Sequence, residues 1–146
     1  MNPPPRDARV ARVVAVFEGL TRENLASLAG IYAADAYFRD PFNEVRGFPA
    51  IEPIFDEMFV HLADCRFEFL DALSDEGGAL LTWNMHFRIR RYRPDTPQVI
   101  HGASHLKFDA AGRVSHHRDY WDAADELYAK LPLIGPVMRY LKRRLA

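Results

Sequence analysis

The chain has 146 residues, enough for one domain that buries a core without metal or disulfide staples. Its 19 Lys and Arg nearly balance 20 Asp and Glu, and no basic stripe runs through the body, which excludes a nucleic-acid partner. Cys65 is the only cysteine, which excludes an intrachain disulfide and a cysteine-built zinc site and fits the cytoplasm.

Residues 1–7, with three consecutive prolines, read as a disordered or extended lead-in without the charge and apolar pattern of a signal peptide. Val10, Val13, Val14 and Phe17 then recur at helical spacing, so an amphipathic helix is expected to end near Gly19. Thr21 caps a second, with Leu25, Leu28, Ala29 and Tyr32 as its stripe. Ala36 to Phe42 reads as the first strand, with Phe38, Asp40 and Phe42 on one face. Asp40 is thus an acid on an apolar face, held extended by Pro41. Such a carboxylate is paired, hydrogen-bonded in a turn, or raised in pKa for proton transfer.

A very short strand at Val45 to Gly47 precedes a helix opened by Pro49, whose stripe is Ile51, Ile54, Phe55, Met58 and Leu62. From Cys65 the period becomes two. Strands are expected at Cys65 to Leu73, Ala79 to Tyr92, Gln98 to Phe108 and Arg113 to Asp122, separated by Gly- and Pro-containing turns. Trp83, Met85, Phe87 and Ile89 share one face of this meander, and Thr82, Asn84, His86 and Arg88 the other. The fold class is therefore α+β, with helices on one face of a long-stranded antiparallel sheet. Ala124 to Leu131 reads as a short helix broken at Pro132 to Pro136. Val137 to Ala146 reads as a basic amphipathic helix, either a C-terminal cap on its own dipole or a weak membrane-surface contact.

No metal site is expected. His101 and His105 lie about 13 Å apart on a strand, and His116 and His117 point to opposite faces. His101, Ala103 and His105 fall on the outer sheet face, where a homodimer interface is expected. The sequence holds neither a Gly-rich phosphate loop nor a serine-nucleophile elbow, and no cofactor is expected.

Tyr32 to Ala36 leading into Asp40-Pro41, the Gly47 to Ile51 helix entry and His117-Arg118-Asp119-Tyr120-Trp121-Asp122 on the last strand resemble the nuclear transport factor 2-like superfamily, nearest its SnoaL-like branch. The resemblance covers roughly residues 8 to 125, with residues 126–146 as a helical extension. It implies a cone, in which a strongly bent sheet wraps a deep apolar pocket plugged by helices. Asp40 matches the proton-transferring aspartate of ketosteroid isomerases, while Val16, with Phe17 beside it, and Ser104 stand where those enzymes carry oxyanion donors. Asp119 matches the acid of SnoaL-type polyketide cyclases and an acid of limonene epoxide hydrolases. The latter's inner-strand Arg and Asp correspond to Trp83 and Met85, and its tyrosine and asparagine to Phe38 and Asp40.

These two matches, with His117 on the same strand face as Asp119, imply Asp40, Asp119 and His117 as catalytic residues in a cofactor-free isomerase or cyclase acting on a mainly apolar small molecule. The walls would come from Phe17, Phe38, Phe55 and Trp83 on one side. Phe87, Ser104, Leu106, Phe108 and Trp121 would complete them. The competing function is a noncatalytic carrier with the same pocket, since one fold hosts both.

Overall fold

The computed structural model describes residues 3–127 and 134–146. Helix α1 (Ala8–Glu18) buries the expected stripe of Val10, Val13, Val14 and Phe17. Asp7 caps it, accepting from the Arg9 backbone N–H at 3.0 Å, and its carboxylate also pairs with the Arg9 guanidinium at 2.7 Å. These bonds to Arg9 hold the Asp7 carboxyl down at about 2, against an ordinary value of 3.8. The lowered folded-state pKa means that this stabilisation is complete above pH 4 or so and fades as pH falls toward 2. Asp7→Ala is expected to cost about 1 kcal/mol at neutral pH and nearly nothing near pH 2, read from urea unfolding at both pH values.

The second helical segment is a 3-10 helix (Arg22–Gly30) rather than an α-helix. Asn24 explains the difference: its side chain accepts from Thr21 N–H at 2.7 Å and donates to Gly19 O at 2.8 Å, and its backbone leaves helical geometry. Leu25 and Leu28 are buried, whereas Ala29 is exposed and Tyr32 opens the first strand. That strand, β1 (Tyr32–Arg39), starts earlier than expected and stops before Asp40.

β2 (Glu44–Arg46) pairs with it, and Gly47, at φ 88°, turns the chain into α2 (Phe48–His61). The long strands follow as β3 (Leu62–Asp75), β4 (Gly78–Ile89), β5 (Gln98–Phe108) and β6 (Val114–Tyr120). They form one six-stranded sheet in the order β2-β1-β6-β5-β4-β3. Every pairing is antiparallel except β1 with β6, which places Phe38 beside His117. Irregularities within β1, β3 and β5–β6 pairings bend the sheet around the helices, as bulges do. Trp83, Met85 and Phe87 face the helices, while His101 and His105 lie on the outer face, as their alternation predicts.

Cys65 is packed against the core, and burial pushes its thiol up to about 12. The helix expected from Ala124 begins as α3 (Ala123–Glu126); its expected end and the Pro132 break fall on residues 128–133, outside the described residues. The C-terminal helix α4 (Gly135–Leu145) is present. No helix among the described residues is long and apolar enough to cross a membrane.

Candidate functional site

Helix α1 lies over β3, and α2 closes against β1 and β3. Between them and the sheet, Phe17 meets Phe55 at 5.5 Å and Phe67 at 5.7 Å, ring to ring, and Phe67 meets Trp83 at 6.1 Å. These rings fill most of the hollow: the void among them is about 20 Å³, room for about one water molecule. The expected deep pocket is thus packed shut by aromatic side chains.

One wall of this hollow carries a continuous chain of polar contacts. The Trp83 indole N–H donates to Ser104 Oγ at 2.8 Å, which leaves the Ser104 hydroxyl hydrogen for Asp119 Oδ1 at 2.5 Å. His117 Nε2 reaches the same Oδ1 at 2.7 Å, and Tyr32 Oη lies 2.6 Å from His117 Nδ1. An indole N–H only donates and a carboxylate only accepts, so the directions follow. His117 donates from Nε2 to Asp119, and in its neutral form accepts from the Tyr32 hydroxyl at Nδ1. Burial, with the nearby Asp119 charge, pushes the Tyr32 hydroxyl well above its usual range, so it keeps that proton.

Phe17 and Phe38 pack edge-on against the His117 ring at 5.9 Å and 4.9 Å, and Tyr32 stacks on it at 5.9 Å. No buried side-chain polar atom among the described residues lacks a partner. Tyr32→Phe would orphan His117 Nδ1 in the core, and an unfolding titration is expected to show a loss of about 1–3 kcal/mol.

The structure brings together Asp119, His117, Ser104, Trp83, Phe17, Phe55 and Leu106 around the hollow. It places Asp40 elsewhere. With β1 ending at Arg39, the Asp40 carboxylate folds into the following turn, accepting from the backbone N–H groups of Phe42 at 2.8 Å and Asn43 at 2.7 Å. It also accepts from the Asn43 amide at 3.1 Å. Asp40 therefore sits on a rim depression of about 520 Å³ bordered by Arg39, Arg118 and Trp121. Trp121 is there too, edge-on to Phe42 at 5.5 Å. Phe38 and Phe87 are buried packing residues, and Phe108 lies under the Arg9 guanidinium at 4.5 Å.

Sequence reasoning missed Tyr32, Phe67 and Phe69. Tyr32 is assigned there to a helix stripe, and the one available signal is a large residue with a hydroxyl among small apolar neighbours. Among the described residues, Asp119 alone lines both the inner hollow and the rim depression.

A bent six-stranded sheet closed over by helices, with a carboxylate on its inner wall, defines an α+β domain built around one aromatic-filled hollow. The SnoaL-like domain model matches residues 13–117, and the chain belongs to that family. No curated protein sequence matches the chain. Solved structures share the fold. A Catenulispora acidiphila protein with a ketosteroid isomerase-like fold, in complex with trimethylamine, is 17% identical, with 85% of this chain and 91% of that one covered and a TM-score of 0.69. A putative SnoaL-like polyketide cyclase from Shewanella putrefaciens is 19% identical over 84% and 98%, with a TM-score of 0.68. An LEH-like epoxide hydrolase of M. tuberculosis is 18% identical over 92% and 96%, with a TM-score of 0.67.

Proposed function

We propose that this domain binds a mainly apolar small molecule in the cone and moves a proton on it, as in isomerisation, cyclisation or dehydration, with Asp119 as the acid and base. The position of Asp119 carries this reading. Its side chain is only 17% exposed, and it stands where the aromatic hollow meets the rim. Two donors converge on its Oδ1, which fixes the carboxylate toward a guest. His117, with both nitrogens engaged, acts as a positioning residue rather than as a second acid.

A guest larger than water has to part the rings of Phe17, Phe55 and Phe67, exchanging ring–ring contacts for guest–ring contacts of the same kind. Asp119 then takes a proton from carbon next to a carbonyl, leaving an enolate, and returns it at the same or a neighbouring carbon. The polyketide cyclase and epoxide hydrolase that share this fold support a small-molecule substrate. The test is hydrogen–deuterium exchange into a panel of cyclic enones in D2O with the purified chain. Protein-dependent exchange supports the reading, and none across the panel counts against it.

A noncatalytic carrier is the second reading, favoured by the complete pairing of the buried polar atoms. The two diverge in one observation: saturable binding of an enone without exchange selects the carrier.

A further inference from the structure

We propose that α4 is a surface anchor that docks on anionic lipid headgroups. On a helical wheel, Ile134, Val137, Leu141 and Leu145 share one face, and they are 42%, 52%, 43% and 85% exposed. Arg139 and Arg143 occupy the opposite side, while Arg144 flanks the apolar stripe near Val137 and Lys142 flanks it near Leu145. Residues 134–146 contain no Asp or Glu, although the whole chain sums to −1, so positive charge is concentrated in this helix. Tyr140, 55% exposed, sits at the boundary of the two faces, where an amphipathic ring is favoured at a membrane interface.

This pattern fits a bilayer surface better than a second copy of the chain. In a two-fold contact each apolar stripe would bring its own flanking cations against the same cations of its mate. An anionic surface instead satisfies both faces at once. The apolar side chains enter the headgroup boundary while the Lys and Arg stems reach up to phosphates. In the structure Lys142 Nζ holds Asp125 at 2.6 Å, an exposed pair that headgroups replace at little cost.

Flotation of the full chain with vesicles is the test, comparing phosphatidylcholine alone with phosphatidylcholine containing about one third phosphatidylserine. The chain is expected to float with the anionic vesicles and hardly with the neutral ones, and to be released by salt near about 0.5 M. Arg143→Gln combined with Arg144→Gln should weaken partitioning about tenfold or more. Leu141→Gln combined with Leu145→Gln should weaken it too. Circular dichroism and unfolding midpoint should stay unchanged in both, since these side chains are exposed. No partitioning at millimolar anionic lipid overturns the proposal, as does equal, salt-insensitive binding to neutral vesicles. A dimer that dissociates in the Leu141→Gln, Leu145→Gln variant also overturns it, by giving the face to a second copy.

Discussion

Asp119→Asn is expected to slow proton exchange on a bound cyclic enone by about a hundred- to ten-thousandfold, the range a positioned general base contributes. The substitution leaves an oxygen to accept from Ser104 and His117, now 2.5 Å and 2.7 Å from Asp119 Oδ1, so the wall keeps its shape and only the base is lost. Ser104→Ala is the companion variant. It removes one donor but keeps the carboxylate, so exchange should fall far less, while Trp83 Nε1 loses its acceptor. Measured by NMR loss of substrate proton signal, undiminished exchange in Asp119→Asn would remove this carboxylate from the chemistry.

Gly102→Ala should strongly destabilise the sheet. Gly102 lies across from Trp83 in the β4–β5 pairing, and a Cβ there would meet the indole at 2.5 Å and 2.6 Å. The ring is rigid and buried, so it must move as a body and give up its bond to Ser104. Overpacking together with the lost hydrogen bond predicts a cost of about 2–4 kcal/mol. Gly30→Ala, where no atom lies within 4 Å of the added methyl, is the neutral control. Urea unfolding of both variants checks this, and equal midpoints would contradict the wedged ring.

Much of the fold could be read from periodicity because its elements obey a single local rule. The stripe of α1 and the two-residue alternation from Trp83 to Ile89 are such cases, and both match the structure. Local rules failed where a side chain competes with the backbone. Asn24 converts an expected α-helix into a 3-10 helix, and Asp40 bonds the turn that follows it instead of continuing a strand. Alternation predicts the face but not where a strand stops, and this strand stops at Arg39, one residue before Asp40.

The site divided in the same way. Asp119 and His117 are two apart on β6, and that spacing alone puts them on one face, where the hydrogen bond between them forms. The contacts of Tyr32 to His117 and of Trp83 to Ser104 span 85 and 21 residues, so they arise from strand order and register. Void size is less legible still. Four phenylalanines and a tryptophan line the inner hollow, and how far they fill it depends on their rotamers.

An apolar guest is expected to enter beside Asp119, and the two tryptophans of the chain make this measurable. Trp83 lines the hollow and Trp121 the rim, so each indole N–H signal in a nitrogen–proton correlation spectrum reports one place. With signals assigned by Trp83→Phe, titration with a cyclic enone is predicted to move the Trp83 signal saturably. A Trp83 signal that stays fixed throughout, whether or not Trp121 moves, would contradict the account.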